Sequence, residues 1–333
     1  MSDGMRAVAR LAGVSVSTVA NVLSRPSIVA PATLRRVQQA IEQVGYVPNG
    51  PARQLRGLPS PIVGSVTLDL ANPFHAEVNR GVEDCLAEAG CLVLACSTDL
   101  RPDTETRLLH LLQQQNVRGI IISPAGDTVP LLEVSRRGTP VVLLDHPKER
   151  LDLCAVAVDD VLGGRLAGEH LRALGHRRIA YLSATVDPGP VARRREGLRQ
   201  AAETLLDVRM DVHPPSLGEA AAAAAERVMA VGATAVVCLN DTAALGLLDG
   251  LAALGVRVPE DLSVVGYDDL PFARRLAPAL TTVSQPKYQL GWAAAELLLD
   301  EGRPGHAHRE VRFQPALVVR SSTACIDGRH IDR

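Results

Sequence analysis

The sequence predicts an all-α head with a helix-turn-helix, joined to an α/β core of two doubly wound parallel-sheet subdomains. Three observations carry this. Two short apolar-periodic runs flank Gly13-Val14-Ser15. From Ile62 onward, apolar strand-like runs alternate with helical stretches. Charge divides in the same way: residues 1–60 hold seven arginines against two acids, a net +5, so the rest carries −7 of an overall −2. A basic head on an acidic body suits a head that meets phosphates.

In the head, Ala7, Val8, Leu11 and Ala12 form one helical face, and Val14, Thr18, Val19, Val22 and Leu23 a second. Gly13 lies in the turn and Ser15 is placed to cap the second helix. Such a second helix can enter the major groove of DNA. A third helix is expected from Pro31 to Val44, with Val37, Ala40, Ile41 and Val44 inward and Gly45 as its stop. Beyond it, Asn49 as cap and Pro51 in the first turn outline a short helix before Pro59 and Pro61. It is too short to be stable alone, and reads either as a linker or as a hinge that folds on a partner.

In the body, strands are expected at 62–68, 92–95, 119–123, 141–144, 155–158, 179–183, 235–239 and 262–266. Helices are expected near 75–89, 103–116, 128–137, 160–174, 190–206, 218–230, 241–254 and 286–300. Apolar strands separated by helices imply parallel sheets covered on both faces. The count fits two such sheets, and ligands then bind beyond the carboxyl ends of the strands.

The 333 residues are 47% hydrophobic but only 2% aromatic, so the core must be built from Ala, Val, Leu and Ile. The six cysteines form no C-x-x-C pair and no Cys/His array with zinc spacing. Cys91, Cys96, Cys154 and Cys238 read as small buried hydrophobes. There is no N-terminal apolar leader and no run of 18 apolar residues, so the expectation is a cytoplasmic protein with no membrane partner. No Walker sequence, G-x-S-x-G, H-E-x-x-H or G-x-G-x-x-G occurs, and no spacing proposes a catalytic triad. No catalytic residue, metal or cofactor is expected.

Over essentially its whole length the chain resembles the LacI/GalR family of transcriptional regulators. In the head the resemblance rests on Val8-Ala9, Ala12-Gly13-Val14-Ser15, Thr18-Val19, Val22-Leu23, Gly45-Tyr46-Val47-Pro48-Asn49 and Ala52-Arg53-Gln54-Leu55. In the body it rests on Asn72-Pro73-Phe74, Asp159-Asp160, Gly163-Gly164, Leu174-Gly175-His176-Arg177, Arg194 with Gly197, Asn240-Asp241, Gly266-Tyr267-Asp268-Asp269 and Gln285-Pro286. It implies a repressor that binds near-palindromic double-stranded operator DNA as a homodimer. Its core would be periplasmic-binding-protein-like (type I), with two subdomains closing on a small effector. The implied domains are a DNA-binding head at 1–48, a hinge and linker at 49–60, and a core at 61–333. Within the core, one subdomain would take about 61–158 and 286–313, the other about 162–283 and 317–325.

Val16, Ser17 and Asn21 lie on the outer side of the second helix and match family positions that touch base edges. The family most often has Arg where Asn21 stands. Arg favours guanine and Asn favours adenine, so the operator should depart from the commonest half-site there. Ser15, Thr18 and Tyr46 suit phosphates, which position the head. By resemblance, Leu55 wedges into the minor groove and Ala52 is the small position where paired hinge helices meet. One departure is that Gly4 and Ala7 stand where the family carries a Thr cap and an Asp, leaving Ser2 or Asp3 to cap the first helix.

Asp145, Arg194, Asn240, Asp241 and Asp268 fall at or just beyond strand ends or on a following helix, where side chains face the cleft. Arg194 and Asp268 also match ligand-contact positions of the family. Carboxylates, amide and guanidinium suit the hydroxyls of a sugar or polyol. Phe74 would offer a stacking face, with His75, His146 and Gln285 as further lining. Asp241 reads equally as a helix N-cap, and Arg193 and Arg195 as solvated helix faces. The segment Val212-His213-Pro214-Pro215-Ser216 lacks the aromatic that sugar readers of the family often carry, so phosphorylated sugars and nucleosides stay open. A solute-binding protein of the same core is the alternative, opposed by the head. The residues after Ser321 hold no leucine heptad, which favours a dimer over a coiled-coil tetramer.

Overall fold

The computed structural model describes residues 3–47, 60–185, 189–210, 217–303 and 305–326, and the chain divides into two compact units at Pro61. The first unit holds α1 (Asp3–Ala12), α2 (Val16–Ser24), a 3-10 turn (Pro26–Ile28) and α3 (Pro31–Val44). Ser15 caps α2 as its spacing demands, its hydroxyl accepting from the Thr18 amide at 3.1 Å. Gly45 closes α3 at φ +63, and the Tyr46 amide donates back to the Ile41 carbonyl. Val8, Val19, Val22, Val37 and Ala40 form the core of this small unit, whereas Leu11, expected inward, is half exposed.

The second unit is built on two six-stranded sheets. Sheet 1 contains β1 (Ile62–Thr67), β2 (Leu92–Ser97), β3 (Gly119–Ile122), β4 (Val141–Leu144), β5 (Cys154–Val158) and β11 (Glu310–Phe313), in the order β11-β5-β4-β3-β1-β2. Every pairing in it is parallel. Its helices are α4 (Pro73–Glu88), α5 (Pro102–Gln114), α6 (Val129–Arg136) and α12 (Lys287–Glu301).

Sheet 2 contains β6 (Arg178–Ala184), β7 (Thr204–Met210), β8 (Ala235–Cys238), β9 (Ser263–Asp268), β10 (Thr281–Ser284) and β12 (Ala316–Val318), ordered β12-β10-β9-β8-β6-β7. With it go α7 (Asp160–Ala173), α8 (Gly189–Ala201), α9 (Leu217–Ala223), α10 (Ala225–Ala230) and α11 (Asp241–Ala253). The chain passes between the sheets three times, after β5, after β10 and after β11. Cores of Val, Ile, Leu and Ala fill both faces of the sheets, in line with the aromatic-poor composition.

Three local expectations are corrected. The helix expected over 190–206 ends at Ala201, and 204–210 forms the edge strand β7 paired to β6 over seven residues. Leu198, Ala201 and Leu205 mimic a helical stripe, but tertiary pairing wins over that local period. The helix expected over 218–230 is two helices, α9 and α10. Sheet 2 is not wholly parallel, because β12 runs antiparallel to β10. The chain leaves β11 at the carboxyl end of sheet 1 and so reaches sheet 2 at its carboxyl edge, from which β12 can only run backwards.

Candidate functional site

The carboxyl ends of both sheets face one cleft. From sheet 1 come Leu68 after β1, Leu100 after β2 and Asp145 after β4, with Phe74 and His75 in the first turn of α4. From sheet 2 come Asn240 after β8, Asp268 at the end of β9 and Arg194 on α8. Thus Phe74, His75, Asp145, Arg194, Asn240 and Asp268 of the expected set share one cavity.

Arg194 is the hub of the cleft. It is 6% exposed, donates through Nε to Asp160 Oδ1 at 2.9 Å and through Nη1 to the Leu239 carbonyl at 2.9 Å. Its guanidinium lies over the Tyr267 ring, 3.8 Å from the centroid, and Nη1 is 3.9 Å from Asp268 Oδ1. A buried cation needs such partners, because desolvation alone would cost several kcal/mol. The surrounding carboxylates hold its pKa well above the ordinary arginine value against the opposing effect of burial.

The two cleft carboxyls behave differently from exposed ones. Burial first, then the Asp160 charge, pushes Asp145 up to about 8, against the pull of Arg194. Burial raises Asp268 to about 6, with Arg194 and the Gln285 hydrogen bond opposing. Burial and the Arg194 charge lower His75 to about 4, so the ring is neutral. Among the described residues, Asp145 Oδ1 and His75 Nδ1 are buried with no hydrogen-bond partner. Asp145 (φ +53) and Asp268 (φ +109) both occupy the left-handed side of backbone space, strain that concentrates where side chains must be aimed.

Asp241 and Gln285 do not line the cavity. Asp241 is fully buried, accepting from Thr282 Oγ1 at 2.6 Å and from the Leu270 amide at 2.7 Å, so it ties β10 to the turn after β9. Asn240, not Asp241, caps α11, accepting from the Ala243 amide. Gln285 donates to Asp268 Oδ1 at 2.7 Å and so acts through Asp268. Arg193, expected on a solvated face, reaches Asp160 Oδ2 and the Asp145 carbonyl at 3.5 Å. Arg195 is likewise mostly covered and lies 3.8 Å from Asp207. His146 Nδ1–H donates to the Pro147 carbonyl at 2.7 Å, and the residue is not among those lining the cavity. Sequence reasoning missed Asp160 and Tyr267 as anchors of Arg194, although both sit inside the quoted motifs.

In the first unit, Val16, Ser17 and Asn21 stand exposed along one side of α2. Ser15 is also exposed, and its hydroxyl is 2.7 Å from Ser17 Oγ and 2.8 Å from Thr18 Oγ1. Tyr46 is half-buried, and its ring lies where a Cβ on Gly4 would stand. This accounts for glycine at that position of α1. Asn49, Ala52 and Leu55 lie outside the described residues, as does the 211–216 segment.

Residues 4–49 match the family described as bacterial regulatory proteins of the lacI family, and residues 169–323 match the periplasmic binding protein-like domain. The chain is 33% identical to the HTH-type transcriptional repressor PurR of Vibrio atlanticus, over 96% of this chain and 98% of that one. A LacI family regulator from Enterococcus faecium with bound ribose superposes with a TM-score of 0.72 at 32% identity, covering 80% of this chain and all of the other. The lac repressor dimer bound to operator and the anti-inducer ONPF gives 0.80 at 27% identity, covering 95% and 98%. With a DNA-binding helix-turn-helix head and a core of two parallel-sheet subdomains, the chain belongs to the LacI family of transcriptional regulators.

Proposed function

We propose that this chain is a repressor whose operator affinity is set by a small hydroxylated effector of the sugar class held between the two sheets. The observation that carries the reading is the buried Arg194, flanked by Asp145 from sheet 1 and Asp268 from sheet 2 in one cavity with Phe74. A hydroxyl can donate to either carboxyl while accepting from the guanidinium, and Phe74, Leu68 and Leu217 suit the C–H faces of a ring. Partnerless Asp145 Oδ1 and His75 Nδ1 are the polar atoms such a ligand would satisfy. The ribose found in the Enterococcus relative belongs to the same chemical class.

On the DNA side, Val16, Ser17 and Asn21 read bases of a near-palindromic operator, and Ser15, Thr18 and Tyr46 hold phosphates. Asn49, Ala52 and Leu55 serve as the hinge, with Leu55 as the minor-groove wedge. The domains follow the implied boundaries: head 1–48, hinge 49–60, and a core at 61–333 whose two subdomains follow the chain crossings. The working unit is a homodimer. In support, the edge strand β2 exposes Leu92 (68%) and Leu94 (45%), and α5 exposes Leu111. An apolar sheet edge of this kind is unusual on a monomer. No single described helix is long and apolar enough to cross a membrane, and a chromosome-binding role puts the protein in the cytoplasm. The reading includes no catalytic step.

The test is calorimetry of purified protein with ribose, hexoses, sugar phosphates and nucleosides, paired with operator binding at each ligand's saturation. A ligand that binds wild type, fails with Arg194→Ala and changes operator affinity supports the reading. Binding that survives Arg194→Ala, or leaves operator affinity untouched, contradicts it.

A further inference from the structure

At the amino ends of the sheet 1 strands, opposite the cleft, the fold assembles a second polar cluster. Cys154 opens β5, Glu301 ends α12, and His306 lies on the loop that leads into β11. The three are far apart in sequence, so no spacing reveals them. One ligand atom from each lies within 4.8 Å of the other two.

We propose that Cys154, Glu301 and His306 form a binding site for a divalent cation of the zinc class. The separations are those of ligands sharing a metal. Cys154 Sγ is 3.3 Å from His306 Nε2, and His306 Nε2 is 3.4 Å from Glu301 Oε1. Tetrahedral zinc with ordinary bond lengths spaces neighbouring S, N and O ligands by roughly 3.3–3.6 Å. All three groups are at least nine-tenths buried, and Glu301 Oε1 makes no well-aligned hydrogen bond among the described residues, although the Cys154 thiol and His306 Nε2 both face the Glu301 carboxylate. A buried carboxylate oxygen left in this way points at something that should fill the centre of the cluster.

The surrounding groups orient the set. His306 Nδ1 is 3.1 Å from Asp300 Oδ2, which keeps the proton on Nδ1 and turns the Nε2 lone pair inward. Asp300 is itself held by Arg303 and Arg309 at 3.1 and 3.2 Å. His308 reaches the other oxygen of Glu301 at 3.4 Å and Asp152 at 2.7 Å. On binding, the Cys154 thiol gives its proton to solvent, so thiolate, carboxylate and neutral imidazole balance the two positive charges of the ion. A fourth position is left for water. The ion would clamp β5, from the first passage of the chain through sheet 1, to α12 and the β11 loop, from the return passage.

The experiment is a titration of reduced, chelator-stripped full-length protein with zinc against a competing indicator, repeated with cobalt(II) for its thiolate charge-transfer band. One zinc per chain is expected, with a higher melting temperature than in chelator. Cys154→Ser and His306→Ala should each weaken binding on the order of 100-fold, and Asp300→Asn about 10-fold. Cys325→Ser, at an exposed cysteine outside the cluster, should leave it unchanged. Cys154→Ser should also abolish the cobalt band. If Cys154→Ser fails to fold, His306→Ala and the wild-type cobalt spectrum decide. Absence of stoichiometric zinc in stripped wild type, undiminished affinity in His306→Ala, or cobalt binding without a thiolate band overturns the proposal.

Discussion

Arg194 Nε lies 2.9 Å from Asp160 Oδ1, and neither side chain has meaningful access to water. Asp160 is on the first turn of α7, Arg194 on α8, and the pair fixes the guanidinium while leaving its Nη1 edge toward Asp268. Two effects are thereby separable: the fold needs the charge pair, and the proposed effector needs the remaining donors. Removing Asp160 strands a buried cation, so Asp160→Ala should destabilise the core by about 3–5 kcal/mol. Arg194→Lys keeps a positive charge but loses the planar fork that serves Asp160, the Leu239 carbonyl and a ligand at once. It should cost less stability than Asp160→Ala and at least roughly tenfold in effector affinity, about 1.4 kcal/mol. Denaturant melts and calorimetry on both variants check this. Equal stability losses with intact ligand binding would remove Arg194 from the site.

The cleft carboxyls give the ligand-free core a defined pH response. Asp145 rises from 3.8 to about 8 and Asp268 to about 6 on folding. Between those values the folded chain holds protons that the unfolded chain has released. Their stabilisation is therefore complete below about pH 4 and is lost as pH rises through the folded values. His75 has the opposite sign: lowered from 6.5 to about 4, its contribution is present above 6.5 and lost as pH falls toward 4. The trends oppose each other below 6.5, and above it the acids act alone. The melting temperature should fall between about pH 6.5 and about pH 8, and Asp145→Asn should flatten that fall. An unaltered slope in the variant would mean that Asp145 ionises normally.

The crossing of α7 and α8 is what sets Arg194 in place. A Cβ on Gly164 would run into the Arg194 carbonyl, and one on Gly197 into the Val161 carbonyl. Backbone cannot yield as a side chain does, so Gly164→Ala must push the helices apart at about 1–3 kcal/mol. Because the atom struck is Arg194's own, effector affinity should fall along with stability. Gly302→Ala, just past the end of α12 where the added methyl meets open space, is the control for adding a methyl as such. Thermal melts and ligand titration of the two variants make the comparison. A Gly164→Ala protein as stable as the control would show that the helices can separate freely.

What was legible in the sequence follows physical range. Ser15 and Gly45 act on their own turns, so the head could be read to the residue at α3. Strand-end polar groups such as Asp145 and Asp268 could be placed because apolar runs mark where a parallel strand stops. Asp160 reads in the sequence only as the first residue of an expected helix, because its partner Arg194 is 34 positions away on another helix. The Asp241 role was hidden for the same reason: its partners Thr282 and Leu270 come from later elements. The strands β10 (TTVS) and β11 (EVRF) are broken by polar residues, unlike the equally short but wholly apolar β4, and β12 has only three residues, so no apolar run marks them. Cys154, Glu301 and His306 meet only because the chain returns to sheet 1, which no local pattern announces.

Asn21 stands exposed on α2, one turn beyond Ser17 and aligned with it on the outer side of the helix. If it reads a base, an amide pairs bidentately with adenine N6 and N7, whereas a guanidinium pairs with guanine O6 and N7. Asn21→Arg should therefore move the preferred base at one operator position from adenine to guanine. The discrimination expected is about 1–3 kcal/mol per half-site, roughly 5- to 150-fold in affinity ratio. The check is selection of preferred sites from a randomised half-site library by wild type and variant, at one fixed salt concentration because phosphate contacts make every affinity salt-dependent. A contact to phosphate alone would raise the variant's affinity on all sequences alike, leaving the preferred base unchanged, and would assign base reading on this helix to Val16 and Ser17 instead.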